Sequence, residues 1–378
     1  MTDTSSTATR GEVSSLFRPF TVGPLSLPNR IVMAPMTREF SPGGVPGQDV
    51  ADYYTHRATG GVGLIVTEGT YVNHPSAGTS GRVPRFYGDD ALAGWQRVVE
   101  SVHAADGRIV PQLWHVGAVR EPGKPPVPEA PAVGPSGLTL TGEPLGDQRS
   151  ELTQADLDDI IAAFATGAAD AERLGFDGIE LHGAHGYLID QFLWSLTNRR
   201  TDRYGGDPVA RTRFAAEIVT AVRQAVSPSF PVIFRMSQWK SGAYDARLAE
   251  SPQQLESILA PLIQAGVDVI HASTRRYWQP EFEDSDLNLA GWVKKISGIP
   301  VISVGSVGLD KEFISTFGGQ TPSATGIGQL LDRLERDEFD LVAVGRALIA
   351  DPAWAEKIRT GRSDEITAFE LPALRSLN

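Results

Sequence analysis

Eight times along this sequence a short apolar run of strand length gives way to a segment of helical period, and that alternation constrains the fold more than anything else in the chain. The runs are Arg30–Ala34, Val62–Val66, Ile109–Leu113, Gly178–Leu181, Val232–Arg235, Val267–Ile270, Pro300–Ser303 and Leu341–Val344. Helical candidates between and after them include 91–105, 154–174, 209–226, 252–265 and 352–359. Strand, helix and strand again implies parallel strands joined by crossover helices. An open doubly wound sheet would show the same alternation, but eight is the number that closes a barrel. The expectation is therefore an α/β fold, a single (β/α)8 TIM barrel over residues 1–378, with no low-complexity linker or shift in composition to divide it.

Local punctuation supports the units one by one. Asp207-Pro208 and Asp351-Pro352 each set a capping carboxylate before a proline suited to a first helical turn. Gly175 and Gly266 fall where two helices should stop and strands resume. About the first 14 residues, polar and without the apolar core of a secretory signal, read as a frayed tail on a cytoplasmic protein. Two connections are long for a barrel, 117–146 after the third strand and 308–325 after the seventh. The first is expected to overhang the barrel mouth as a lid, with an inert insertion as the competing reading.

Composition narrows the partners. The formal net charge is −12 with basic residues dispersed, which disfavours nucleic acid, and no apolar run is long enough to span a bilayer. Small molecules remain, and the sequence leaves the oligomeric state open. There is no cysteine, so disulfides, thiolate metal sites, iron–sulfur clusters and cysteine nucleophiles are all absent from this sequence.

In barrels of this kind chemistry sits at the C-terminal ends of the strands. The polar residues there are Thr37, Glu68, Gln112, His182, His185, Tyr187, Arg235, His271, Ser303 and Arg346. The seventh strand runs into Val304-Gly-Ser-Val-Gly308 and the eighth into Val344-Gly-Arg-Ala-Leu348, the positions at which many barrels hold a phosphate. Glycines let backbone approach an anion, and Arg346 offers a forked charge. No lysine is evident at a strand end, so Schiff-base chemistry is disfavoured.

The stretch HGAHGY, His182 to Tyr187, allows three readings. As metal ligands the histidines lack a third partner within the motif. As buried core groups they need only satisfied hydrogen bonds. As neutral donors they would hold a substrate oxygen, with Tyr187 as a weak acid suited to protonating a strongly basic carbon.

Taken together these residues resemble the Old Yellow Enzyme family of FMN-dependent ene-reductases. The resemblance runs in order through Phe17-Arg-Pro-Phe20, LPNRIVMAPMTR (27–38), Thr67-Glu-Gly69, Pro111-Gln-Leu-Trp-His115, the whole of 182–206, Phe234-Arg235, Val304-Gly305 and VGRALIADP (344–352). It implies non-covalent FMN held by Pro35, Met36, Thr37, Gly69, Gln112, Arg235, Gly305, Ser306, Gly345 and Arg346. It implies NADH or NADPH as electron donor, and an α,β-unsaturated carbonyl substrate gripped by His182 and His185 and protonated by Tyr187. Threonine at position 37 replaces the cysteine of some members. Larger relatives with an iron–sulfur cluster need cysteines and further domains, neither of which is expected here.

Trp114, Tyr277 and Trp278 are candidates for the substrate pocket. Trp194 and Trp239 are further wall candidates, and Ser273–Trp278 could meet either the donor or the substrate. Residues 198–206 read as an ion-pairing structural loop. The competing functions are a flavin-free barrel isomerase or metabolic enzyme with a phosphorylated ligand, and a non-catalytic flavin-binding protein.

Overall fold

A computed structural model of the chain describes residues 12–146, 151–312, 315, 320 and 322–378. Its centre is a closed barrel of eight parallel strands: β3 (Ile31–Met33), β4 (Leu64–Tyr71), β5 (Ile109–Trp114), β6 (Ile179–His185), β7 (Val232–Lys240), β8 (Val269–Ser273), β9 (Val301–Val304) and β10 (Leu341–Val344). β10 closes on β3, with Val342 opposite Ile31. Every expected strand is present, and the expected helices appear at Asp89–Ala104, Gln154–Arg173, Pro208–Ala225, Pro252–Ala265 and Trp354–Arg359.

Asp207 caps its helix with Pro208 in the first turn as the sequence suggests, whereas the last of these helices begins at Trp354, beyond Pro352, so Asp351 braces the preceding turn instead of capping it. The Asp207 carboxylate accepts from Ala210 N at 2.8 Å, Asp351 accepts from Ala353 N at 3.1 Å, and Gly266 adopts φ 111° at the end of its helix. Ahead of the barrel an antiparallel hairpin, β1 (Phe20–Val22) and β2 (Leu25–Leu27), brings Val22, Leu25 and Leu27 against an interior cluster. That cluster includes Val32, Leu64, Ile233, Val269 and Leu341, at or near the starts of their strands. Of the expected N-terminal tail, residues 1–11 lie outside the described residues. Residues 12–14 are not frayed, because Glu12–Phe17 form a 3-10 helix that buries Val13 and Leu16.

Strand alternation decides what faces the barrel interior. Ile179 and Leu181 belong to the outer core under the helices, as does Phe234, whereas Ile233 and Val269 belong to the interior cluster. With a period of two, Glu180, His182, Arg235 and His271 therefore turn inward above that apolar plug. The segment after β6, a short helix Leu188–Leu193, is tied back to the sheet by a buried ion pair. Lys240 Nζ lies 3.0 Å from Asp190 Oδ1, and Asp190 Oδ2 accepts from Gly186 N at 2.6 Å. Both side chains are fully buried, and burial pushes the Asp190 carboxyl up to about 6 against the pull of Lys240. A lysine thus does stand at a strand end, contrary to the sequence reading, but its charge is spent on the turn that carries Tyr187. Removing one partner strands the other in the core, so Lys240→Met should cost about 3 kcal/mol of stability, read as a fall in melting temperature. Lys240→Met combined with Asp190→Asn should recover part of it.

Candidate active site

At the C-terminal end of the barrel the register sets Gln112 beside Glu180, and His182 beside Arg235 beside His271. A cavity of about 360 Å³ opens there. Pro35, Met36, Thr37, Gln112, Trp114, His182, His185, Tyr187, Arg235, Gly305, Ser306, Gly345 and Arg346 all line it. Residues spread over most of the sequence are thus gathered around one space.

The floor is electrostatic. Arg235 is only 6% exposed, and burial lowers its guanidinium pKa while Glu180 opposes the shift. Burial also resists ionisation of Glu180, but His271, Arg235 and Gln112 outweigh it and hold its carboxyl below the usual range. Glu180 accepts from His271 Nδ1 at 2.6 Å and from Gln112 Nε2 at 2.8 Å. The Gln112 amide is thereby fixed with its carbonyl oxygen directed away from Glu180.

At the far end, Arg346 donates to Lys311 O at 2.5 Å and to Ser306 Oγ at 3.4 Å, and burial lowers its pKa to about 10. Ser306 sits at φ 52° and Gly305 at φ 151°. A Cβ on Gly305 would lie 2.6 Å from Thr274 Oγ1, so the loop closes tightly only around glycine.

His182 and His185 are three residues apart on β6, so a regular strand would point them to opposite faces. The strand is not regular. Its register with β7 shifts between Gly183 and His185, and His185 takes the left-handed conformation at φ 64°. The two imidazoles meet edge to face with centroids 5.2 Å apart, and Tyr187 packs against His182 at 4.9 Å and Trp114 at 4.8 Å. His185 stacks on Trp239 at 4.3 Å. Burial, with Arg235 adding to it, drives both imidazoles well below the ordinary histidine range, so both are neutral. His182 Nδ1 accepts from Ala184 N at 3.4 Å, which leaves the proton on Nε2. Ser273 Oγ accepts from Arg235 at 3.5 Å and lies 2.8 Å from His185 Nε2. The hydroxyl oxygen has two lone pairs, so this contact accommodates either neutral tautomer of His185. Burial raises the Tyr187 phenol above its ordinary value, with Arg235 partly offsetting it.

Several expected residues lie elsewhere. Gly69 does not line the cavity; a Cβ there would fall 2.5 Å from the Trp114 ring, so it makes room for that side chain. Tyr277 and Trp278 pack on each other at 5.0 Å outside the cavity. Glu68 accepts the N–H groups of Arg38 and Glu39, steadying the segment that carries Thr37. His271 and Ser303 are buried behind the floor, and Trp194 packs near Lys240. No residue of 117–146 lines the cavity, although Leu140 stands where a Cβ on Gly186 would fall, at 2.8 Å. The wall on that side comes instead from Trp239, Tyr244, Ser273 and Arg275, with Leu374 from the C-terminal segment. From 308–325, Leu309 and Glu312 contribute, while 313–314, 316–319 and 321 lie outside the described residues. Among the described residues no three His, Cys, Asp or Glu side chains gather as metal ligands, and no helix is long and apolar enough to cross a membrane.

The cavity thus sets a buried arginine at each end, Arg235 and Arg346, and a wall of neutral imidazoles and a phenol between them. Residues 15–365 match the NADH:flavin oxidoreductase / NADH oxidase family. The chain is 37% identical over 363 residues to an NADH oxidase of Thermoanaerobacter brockii, covering 93% of this chain and 52% of that one. It is 31% identical over 375 residues to 12-oxophytodienoate reductase 7 of Oryza sativa subsp. japonica, covering 93% and 89%. The structure of morphinone reductase in complex with tetrahydroNAD superposes with a TM-score of 0.78 at 30% identity, covering 95% of this chain and 93% of that one. The chain spans about half the length of the NADH oxidase and of a metal reductase from Desulforamulus reducens, and most of the rice protein.

The chain belongs to the NADH:flavin oxidoreductase / NADH oxidase family, the Old Yellow Enzyme family, whose cofactor is FMN. The flavin-free barrel reading lapses. The residues present fit that cofactor. A flavin pyrimidine edge offers an N–H between two carbonyls, which suits the oriented Gln112 oxygen, the Arg235 guanidinium with its unpartnered Nε, and the Thr37 hydroxyl. Arg346 and the Gly305–Ser306 turn suit the phosphate. Because Glu180 is the negative charge nearest this floor, Glu180→Gln should raise the reduction potential of bound FMN by some tens of millivolts, measured by equilibrium dye titration.

Proposed function

We propose that this protein reduces the activated C=C bond of α,β-unsaturated carbonyl compounds. The observation that carries the proposal is the pairing of two neutral imidazole donors with an un-ionised, buried phenol in the cavity whose floor suits a flavin. The hydride would be supplied by FMN held on this floor, with NADH or NADPH as its source. His182 Nε2–H and an N–H of His185 hold the substrate carbonyl oxygen and stabilise the negative charge that develops on it. Neutral donors serve better than charged ones here, since an imidazolium would add positive charge beside Arg235 and could lose its proton to the oxygen. Tyr187 protonates the carbon α to the carbonyl, and Trp114 and Trp239 exclude water from that transfer.

The purified protein should be yellow, bleach with NADPH in the absence of oxygen, and recover its colour with cyclohexenone. A yellow protein that NADPH bleaches but no enone restores would remove the alkene reading while leaving the flavin; one that NADPH cannot bleach would favour a non-catalytic binder. Tyr187→Phe should slow the alkene half-reaction roughly a hundredfold or more with little effect on flavin reduction, as stopped-flow absorbance would resolve. The phenol is raised above its ordinary pKa and both imidazoles are depressed, so none of the three titrates near neutrality. The alkene half-reaction should accordingly be flat from about pH 6.5 to pH 9; a break inside that window would show that one of them changes protonation.

A further inference from the structure

Beside the active-site cavity, and sharing Trp239, Tyr244, Ser273, Thr274 and Arg275 with it, lies a second cavity of about 310 Å³. Three arginines line it. Arg247 bonds Glu281 Oε1 at 2.8 Å, and Arg275 pairs with Glu312 at 2.9 Å with its guanidinium 4.9 Å from the Tyr244 ring centre. Arg276 also lines the cavity and is half-buried, yet its guanidinium has no hydrogen bond, ion pair or ring contact among the described residues. Two carboxylates, Asp245 and Glu281, line the cavity as well, but Glu281 is taken up by Arg247, and no ion pair joins Asp245 to Arg276. The turn is also held in place. Ser306 Oγ donates to Arg275 O at 2.9 Å, and Tyr277 N donates to Gly305 O at 3.1 Å, which joins the arginines to the loop after β9.

Trp239 forms the partition. It lines both cavities, stacks on His185 and lies 6.2 Å from the Tyr244 ring, with its indole N–H fixed on Ser273 O at 3.2 Å. A ligand that reaches from His185 along Trp239 would pass Arg275, which lines both cavities, into the space that Arg276 also lines. We infer that the second cavity binds an oxyanion, phosphate or carboxylate, carried on the distal part of the molecule that occupies the active site. A guanidinium takes either group by the same forked hydrogen bonds. The inference rests on the functional reading above for the substrate but not for the hydride donor, whose phosphates are the alternative source.

The test compares charged and neutral members of two ligand pairs on Arg276→Gln and Arg276→Glu. For the donor, NADPH and NADH are set against the phosphate-free 1-benzyl-1,4-dihydronicotinamide, with Kd taken from the concentration dependence of flavin bleaching. For the substrate, a carboxylate-bearing cyclohexenone is set against its methyl ester, with Kd taken from perturbation of the oxidised flavin spectrum. Arg276→Gln should weaken the charged member about tenfold relative to the neutral one, and Arg276→Glu should weaken it further. Loss confined to the dinucleotides assigns the cavity to a donor phosphate, and loss confined to the acid assigns it to a substrate carboxylate. Equal changes within each pair, or none, would overturn the inference. A structural defect moves both members alike, and the donor arm needs no alkene turnover, so it reports even if the proposed reaction fails.

Discussion

An arginine held out of water at the top of the barrel governs this site. A guanidinium keeps its charge under all ordinary conditions, so a nearby anion favours burial of Arg235, and the adjacent strand supplies Glu180. Glu180 in turn needs donors, and His271 and Gln112 meet that need. The same positive charge adds to burial in keeping His182 and His185 neutral. The floor that suits a flavin and the donor wall that suits a carbonyl are therefore two effects of one buried charge.

The barrel was legible because its strands are buried on both sides and stand out as apolar runs between capped helices. The floor was legible because inward positions above an apolar plug have little reason to be polar unless they act, which singles out Gln112, His182 and Arg235. Other features lack a signal of that kind. Tyr277 and Trp278 were placed near the pocket because they are aromatic and follow a strand, but the turn at Gly305 draws Tyr277 away from the opening. Gly69 follows the strand pattern, and only the position of the Trp114 ring explains it. Lys240 continues β7 beyond the apolar run, and its partner Asp190 lies in a different segment, so nothing local announces the pair. Leu374 reaches the cavity through the packing of the C-terminal segment, where Arg38 holds Ala373 O and Ser376 O.

The walls divide the tasks among segments of differing rigidity. The floor and the phosphate loop come from strand ends and tight turns, whereas the outer wall comes from Tyr244, Arg275 and Leu374, on connecting or terminal segments. The groups that suit a cofactor are thus built into the sheet, and those that face whatever lies above it sit on loops that can vary without disturbing the barrel. The long segment 117–146 forms its own local structure, with Arg120 bonded to the carbonyls of Ala130 and Lys124, and meets the site only at its margin.

The kink at His185 bears on how such a site can diverge. Two residues three apart reach the same space only because the strand is locally wound the wrong way, with Gly183 pressed against the Phe234 ring and the His185 N–H caught by Ser237 Oγ at 2.9 Å. The grip proposed for a carbonyl therefore depends on chain length as much as on side-chain identity. Another donor in place of either imidazole leaves the geometry standing, whereas adding or losing one residue between them would turn one donor out of the cavity. Descendants of this site are free to change its letters but not its spacing.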